Sequence, residues 1–204
     1  MVFFPGTRLP LHLFEPRYRA MIGDCVEHKR MAIAVALLQP GFEEDYEGRP
    51  PVHTVCGVGR IESHEQLPDG RFNILLAGVG RVRLHELPAN ELPYRRARAE
   101  VLEDRAGTDH VSGESMTALL SMASMVATAV RRRHPDFSLG ISSDDPPGQV
   151  ADNLADRLLA DPDARQEVLS ALDVRERIER LTGHVAAVLS QLDTASQPGG
   201  GTLH

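Results

Sequence analysis

The chain has 204 residues, 42% of them apolar, with 22 basic and 29 acidic side chains. This length and composition fit one large domain or two small ones around a buried core. A net charge of −7 disfavours non-specific nucleic-acid binding, and no run reaches the ~20 apolar residues of a membrane span. Two cysteines are too few for a disulfide scaffold, and the chain does not open on a signal-peptide pattern. We therefore expect a cytoplasmic protein.

The first elements along the chain are a turn and a strand. Pro5-Gly6 is a turn pair in which Gly6 is expected to take positive φ. Residues 9–14 are apolar on both alternating sides, which predicts a strand buried on both faces. Pro10 lacks a backbone N–H, so this strand should lie at an edge or contain a bulge. The predicted sides of the strand are Leu9, Leu11 and Leu13 on one and Pro10 and Phe14 on the other.

A helix is predicted from Pro16 to about residue 27, because proline is favoured at the first helical position. Glu15 and Arg17 should form a structural ion pair at its start rather than a catalytic acid–base pair. Strands are then predicted at residues 31–38, 52–66, 71–78, 79–87 and 94–103, and the uniformly apolar first of these should be buried. Glycines at positions 57 and 59 suggest a bulge or bend, and Pro68-Asp69-Gly70 predicts a hairpin turn. Short strands separated by turns indicate a small barrel or sandwich.

The second half of the chain is predicted to be helical. Apolar periodicity and start signals place helices at residues 115–133, from residues 144–147, from Pro162, and at residues 173–192. Asp173 and Glu176 form a capping-box pattern. The predicted fold is therefore α+β, with a β-domain at 1–106, a helical bundle at 107–194 and a disordered tail at 195–204.

The opening stretch resembles the Lon protease N-terminal domain, also called the LON substrate-binding domain. That family begins with an F-P-G turn, an L-P-L strand and an F-E-P-R-Y helix start, and all three stand here between Phe4 and Tyr18. The family's central hairpin matches Pro68-Asp69-Gly70-Arg71. The resemblance implies a PUA-like β-barrel followed by a small helical bundle. Members usually carry more residues before the turn, so we expect a short N-terminal piece to be missing or the start to be misassigned.

Enzymatic chemistry is not predicted. A full-length Lon protease adds an ATPase and a Ser-Lys protease, and both need a lysine in a defined setting. The single lysine, Lys29, precedes Arg30 and fits neither a phosphate loop nor a dyad. Cofactors and metals are not expected either. Cys25 with His28, and His53 with Cys56, have metal-ligand spacing, but strand residues three apart point to opposite sides.

The resemblance implies a module that recognises exposed apolar or unfolded protein segments and could deliver them to a separate protease. A groove between the glycine-bent barrel and a methionine-bearing helix could bind such segments, because methionine adapts to varied apolar partners. The candidate binding residues are Met116, Leu120, Met122 and Met125. The last helix has a heptad-like seam that fits burial in the bundle or self-association. RNA binding, known from PUA-like folds, is the alternative, and ATP-dependent peptidase activity is a weaker one.

Overall fold

The computed structural model describes residues 1–29, 32–45, 48–105 and 113–196. The chain divides into two compact units, Met1–Glu103 and Asp104–His204, here called unit 1 and unit 2. The boundary expected at residue 106 and the tail from residue 197 onwards lie outside the described residues. The last helix ends at Ser196, so the first two residues of the expected tail are helical.

Unit 1 is a five-stranded antiparallel sheet with one helix. Its elements are β1 (Arg8–Leu13), α1 (Pro16–Glu27), β2 (Ala32–Val35), a 3₁₀ turn (Phe42–Asp45), β3 (Val55–Gln66), β4 (Phe72–Glu86) and β5 (Ala97–Leu102). The strand order is β1-β4-β3-β2, and β5 also pairs with β4. Together with the helices of unit 2, this sheet confirms the α+β class.

Strand β4 organises the sheet because it pairs with three other strands. One edge pairs with β1 through residues 72–77 and with β5 through residues 81–86, and the other edge pairs with β3. The prediction of two separate strands at 71–78 and 79–87 is wrong. The register shifts between Val58 and Gly59, which leaves Val79 as an extra residue in a β-bulge. Gly78 and Gly80 flank this bulge.

Three glycines of the sheet make room for the N-terminal segment. A Cβ at Gly57 would lie 1.9 Å from the carbonyl oxygen of Phe3, and one at Gly78 would lie 2.3 Å from that of Phe4. At Gly59 it would lie 2.6 Å from the Phe3 ring. Only glycine allows such a close backbone approach. Both phenylalanines are consequently buried, and the core around them contains Phe3, Ile22, Ile61, Phe72, Ile74 and Leu76.

The turns of unit 1 confirm two predictions. Gly6 has φ 76° and Gly70 has φ 81°, values that favour glycine. The hairpin between β3 and β4 closes where the Leu67 amide donates to Arg71 O at 2.8 Å. The predicted helix α1 begins at Pro16 and ends at Glu27, as the sequence indicates.

Two predicted strands are less buried than expected. Strand β1 buries only its leucine side, whereas Pro10 is exposed and Phe14 is 61% exposed. In β2 the side chains of Ala32 and Ala34 are exposed. An apolar run on both sides of a strand therefore does not lead to burial here, because only one side of the sheet packs against α1 and the N-terminal segment.

Unit 2 contains four described helices. They are α2 (Gly113–Arg131), α3 (Pro147–Leu158), α4 (Pro162–Ser170) and α5 (Val174–Ser196). The α4 start is capped by Asp161, which accepts from the Ala164 amide at 3.0 Å. The α5 start is capped by Asp173, which accepts from the amides of residues 175 and 176. The Asp173 cap confirms the predicted capping residue, and Asp161 directly precedes the helix start predicted at Pro162. None of the described helices is long and apolar enough to cross a membrane.

The core of unit 2 contains a buried cation. Arg177 is fully buried, and its guanidinium donates to both carboxylate oxygens of Asp104 and to Ala171 O at 2.9 Å. Asp152, also buried, lies 3.6 Å from it. A Cβ at Gly148 would lie 2.7 Å from Asp104, so the glycine leaves space for this pair. The network therefore holds the first residue of unit 2 against α3 and α5.

Candidate binding surface

One side of the unit 1 sheet presents apolar side chains to solvent. Residues paired across antiparallel strands point to the same side, so the register separates the two sides. Leu76, Leu9 and Ile61 mark the inner side and pack in the core. The opposite side, here called the outer sheet face, contains the exposed Arg60, which lies between Ala32 and Ala77 in the register, and six half-buried or exposed apolar residues: Pro10, Ala32, Ala34, Val58, Leu75 and Ala77.

The side chains of the outer sheet face are short, apart from that of Arg60. Leu75 lies opposite Pro10 in one strand pair, and Val58 lies opposite Ala34 in another. Such side chains leave a shallow surface that offers apolar contact without a deep cavity. This shape suits an extended segment better than a compact small molecule.

Two larger apolar side chains are exposed in unit 1 beside this face. Phe14 follows β1 directly, and its ring centroid lies 6.4 Å from that of His12. Val79, the extra residue of the β4 bulge, is 58% exposed. Exposed aromatic side chains often anchor protein partners. Phe14 is therefore the largest candidate contact of this surface.

An ion pair borders the outer sheet face. Arg8 donates from Nε to Glu62 Oε2 at 2.8 Å and from Nη2 to Oε1 at 3.1 Å. The hydrogen bond from Arg8 lowers the pKa of Glu62 below its ordinary value. Glu62 is itself the extra residue where the β3 register shifts between positions 61 and 63. The pair is exposed and contributes little stability. Its two charged side chains form a polar border of the apolar area.

A polar ladder continues from β1 into the hairpin. His12 Nδ1 lies 2.7 Å from Asn73 Oδ1, and Arg71 Nη1 lies 3.1 Å from His12 Nε2. The amide oxygen can only accept and the guanidinium can only donate, so these contacts fit an imidazole protonated at Nδ1 alone. Asn73 also donates to Glu65 at 3.2 Å. The ring beside Phe14 is therefore held in a single orientation.

The predicted pair at the start of α1 is structural. Arg17 donates from Nε to Glu15 Oε2 at 2.9 Å, and its guanidinium carbon lies 4.9 Å from the centre of the Tyr18 ring. The three side chains thus form a stacked group that fixes the backbone after Phe14. The family motif here serves to orient the chain, and it contributes no reactive group.

The hairpin motif is also structural. Asp69 accepts from the Arg71 amide at 3.1 Å and from its guanidinium at 2.7 Å, and this backbone hydrogen bond lowers the Asp69 pKa. Gly70 O accepts from Arg19 Nε at 2.7 Å, which ties the turn to α1. Pro68 is exposed at the first corner. The turn thereby locks the register of β3 and β4, on which the outer sheet face depends.

The methionine candidates of α2 do not share one side of that helix. Its buried stripe consists of Leu119, Ala123, Val126 and Ala127. At 3.6 residues per turn, Met116 lies within the angular range of this stripe and Leu120 borders it on one side, whereas Met122 and Met125 lie on the other side. Met125 is 58% exposed, while the other three are half-buried. Met125 is therefore the most accessible of the four candidates.

The thiols and histidines with metal-ligand spacing differ in their surroundings, and His53 Nε2 is buried without a hydrogen-bond partner in the described residues. Cys56 is fully buried, and burial raises the pKa of its thiol to about 12. Cys25 is half-buried on α1. In the part of the chain that the structure describes, no three His, Cys, Asp or Glu side chains lie close enough together to hold a metal ion.

Sequence reasoning missed the outer sheet face. Its alanines carry no motif, and β1 and β2 were expected to be buried on both sides. The signal available was the hairpin turn, because its register decides which residues of β4 point outward. The bulges at Val79 and Glu62 shift that register, so alternation alone would have misassigned the far end of each strand.

Comparisons with known proteins agree with this architecture. The family model described as "ATP-dependent protease La (LON) substrate-binding domain" matches residues 1–187. The chain is 27% identical over 179 residues to a Lon protease of Anaeromyxobacter dehalogenans, covering 87% of this chain and 21% of the relative. It is 29% identical over 185 residues to a Lon protease of Roseiflexus castenholzii, covering 89% and 22%. The chain thus spans about a fifth of the length of these curated relatives.

Solved structures show the same fold. The crystal structure of a Lon N-terminal domain protein from Xanthomonas campestris matches with a TM-score of 0.64 and 21% identity, covering 89% of this chain and 92% of that one. The N-terminal domain of a Mycobacterium avium complex Lon protease matches with a TM-score of 0.62 and 16% identity, covering 91% and 92%. With the family model matching most of its length, the chain belongs to the LON substrate-binding domain family.

Proposed function

We propose that this chain is a non-enzymatic binding module that recognises exposed apolar segments of unfolded proteins, independently of ATP. The observation that carries the proposal is the apolar outer sheet face with the exposed Phe14 beside it. The family description names a substrate-binding domain, and an extended apolar segment is the kind of substrate that a shallow, wide apolar surface suits.

The outer sheet face would supply contact area, and Phe14 would supply the anchor. The small side chains beside Arg60 let an apolar part of a bound segment lie close to the sheet, so that many weak dispersion contacts add together. The Arg8–Glu62 pair at the border would stay hydrated and would favour segments whose polar residues flank an apolar centre. Recognition of this kind is tolerant of sequence, as a binder of unfolded chains requires.

The methionines of α2 offer a second contact in unit 2. Met125 is exposed and Met122 lies beside it half-buried, and their flexible thioethers adapt to different partners. Met116 and Leu120, also half-buried, would contribute a smaller contact on the other side of the helix. The module could also hand bound segments to a separate protease as an adaptor.

For unit 1 we propose a PUA-like barrel, because two bulges and the buried glycines promote curvature.

Calorimetric titration with a reduced and carboxymethylated protein, which stays unfolded, tests the function. We expect micromolar binding that is unchanged by ATP, and an absence of association would overturn the proposal. Ala34→Glu places a charge on the outer sheet face and should weaken binding by about tenfold. Ala187→Glu on the exposed side of α5 is the matched control and should have little effect.

A second pair of variants separates the two surfaces. Phe14→Ser should weaken binding more than Met125→Gln if the sheet is the main contact, because Phe14 is the larger anchor. The reverse order would move the site to α2. The same titrations with single-stranded RNA, repeated at rising salt, address the alternative function. RNA binding that falls steeply with salt, without binding of unfolded protein, would replace the proposal.

A further inference from the structure

Strand β5 has one open edge. Its residues Ala97–Leu102 pair with β4 on one side, and no other strand in the described residues pairs with the opposite side. Five of its six side chains are exposed, and Val101, at 73%, is the most exposed of the large apolar side chains. Open edges of this kind are sites where another strand can add.

The hydrogen bonds of β4 indicate which β5 residues face the open edge. The Leu87 amide donates to Arg96 O at 2.9 Å, and the Leu84 amide donates away from β5 to Thr54 O at 2.8 Å. Because hydrogen-bonded and non-hydrogen-bonded pairs alternate in an antiparallel ladder, residues 96, 98, 100 and 102 bond inward to β4. The N–H and C=O groups of Ala97, Ala99 and Val101 therefore point outward.

The charged side chains of β5 are unevenly satisfied. Glu100 lies opposite Arg83 in the register and is 3.4 Å from both Arg83 and His85. Arg98 lies opposite His85 and forms no ion pair with any described residue. The strand thus carries one carboxylate beside the Arg83 guanidinium and, two residues away on the same side, one guanidinium that forms no ion pair with a described residue.

We propose that two copies of this chain pair through their β5 edges, antiparallel about a two-fold axis at Ala99. In this register the outward groups of Ala97, Ala99 and Val101 meet those of Val101, Ala99 and Ala97 in the second copy. Ala97, Ala99 and Val101 of each copy therefore exchange backbone N–H to C=O hydrogen bonds with the residues opposite them. The interface is isologous and closes with two chains.

The side chains favour the same register. Arg98 of each copy comes to lie opposite Glu100 of the other, so a row across the dimer alternates arginine 83, glutamate 100 and arginine 98. Opposite charges in such cross-strand positions are favourable. On the other side of the sheet, the exposed Val101 packs beside Ala97 of the second copy. A self-complementary pattern of charge, hydrogen bonds and apolar contact thus selects a second copy as the occupant.

The interface is narrow, because six residues from each chain take part. Stable complexes usually bury at least ~1,200 Å², so this dimer should be weak and form only at high protein concentration. Self-pairing does not depend on binding of unfolded protein, and either property can be absent without the other.

A charge exchange tests the register. Sedimentation velocity of the wild-type chain over a concentration series should show a reversible dimer. Arg98→Glu places two glutamates opposite each other, and Glu100→Arg places two arginines opposite each other, so each variant alone should dimerise at least tenfold more weakly. An equal mixture of the two variants should recover the wild-type strength, because each chain then meets the complementary charges.

Backbone blocking provides an independent test. Ala99→Pro removes an outward N–H without removing a bond to β4, so it should abolish the dimer while the unfolding midpoint changes little. If this variant does not fold, the mixing experiment decides. A wild-type chain that stays monomeric at about 1 mM would overturn the proposal, as would a mixture that recovers nothing. Dimerisation lost instead in Leu189→Ser would assign self-association to α5. If the wild-type chain is monomeric and Ala99→Pro loses binding of unfolded protein, the β5 edge binds a strand of the unfolded protein rather than a second copy.

Discussion

The two units enclose their buried centres by different means. In unit 1, glycines let one stretch of backbone lie on another, with Phe3 over Gly57 as the closest approach. In unit 2, a glycine makes room for charge, where Gly148 faces Asp104 and Arg177. The first arrangement depends on shape alone, and the second depends on electrostatic satisfaction. Substitutions should therefore destabilise unit 1 through steric clashes and unit 2 through uncompensated charge.

The largest effect is expected at the buried cation of unit 2. Arg177→Ala removes the guanidinium beside the buried Asp152 and the bidentate donor of Asp104, so unfolding should become easier by about 3–5 kcal/mol. Urea denaturation followed by circular dichroism measures the loss, and hydrogen exchange locates it in unit 2. Arg177→Met, of similar volume, distinguishes lost charge from lost packing. A loss below about 1 kcal/mol would show that the network does not organise this unit.

The next largest effect concerns backbone approach in unit 1. Gly57→Ala places a Cβ where the Phe3 carbonyl oxygen lies, so the N-terminal segment must move, at a cost of about 1–3 kcal/mol or more. Gly80→Ala, at a β4 position with no atom within 4 Å of the new Cβ, is the matched control. Equal unfolding midpoints for the two variants would contradict the role given to the close contact.

A backbone angle gives the third test. Gly6 has φ 76°, where a side chain costs about 1–2 kcal/mol, so Gly6→Val should destabilise unit 1 by that amount. Gly113→Val, at an open position at the start of α2, should change stability much less. Thermal unfolding of both variants decides whether the opening turn is central to the sheet.

The fourth test uses pH and a surface network of unit 1. Hydrogen bonds from Arg95 and then Arg49 lower the pKa of Glu86 from 4.5 to about 2. Because the folded pKa is depressed, the stabilisation is complete above pH 4.5 and is lost as the pH falls towards 2. Glu86 is partly exposed, so screening limits the effect to about 1 kcal/mol.

The control for this pH effect is Glu86→Gln, which cannot titrate. The difference in unfolding free energy between wild type and variant should shrink as the pH is lowered from neutrality towards 2. A difference that stays constant across this range would assign the stabilisation to packing of the side chain rather than to its charge.

The smallest effect is a gain in unit 2. Gly183 lies inside α5, is exposed, and has open space within 4 Å of the position that a Cβ would occupy. Gly183→Ala should therefore stabilise the helix by about 0.5–1 kcal/mol. An increase in the unfolding midpoint checks this. A decrease would mean that α5 needs the glycine for a contact that its exposed position does not suggest.

Local signals in the sequence predicted the elements that depend on local chemistry. Pro5-Gly6, Pro68-Asp69-Gly70 and the capping residues Asp161 and Asp173 stand as their sequence context indicates. In each case a nearby backbone group sets the preference, so one sequence suffices to recognise it.

Long-range features could not be predicted in the same way. Whether Phe14 points inward depends on which side of the sheet is covered, and whether β4 continues past Val79 depends on β3 holding its register there. Phe3, which contacts Gly57, and Asp104, which pairs with Arg177, each lie more than 50 residues away in sequence. The outer sheet face therefore becomes visible only once the strands are paired.

Strands β1 and β5 pair with the same edge of β4, and this arrangement suits circular permutation of unit 1. Strand β5 ends at Leu102 opposite Arg81, and β1 begins at Arg8 opposite Ala77, so both run in the same direction, one behind the other. At ~3.3 Å per residue, the gap between them is roughly 13 Å, a distance that a flexible glycine-serine linker leading into the N-terminal segment spans. Unit 1 should thus tolerate circular permutation in which the end of β5 is joined to the N-terminal segment. The new termini would lie in the exposed loop at residues 88–91.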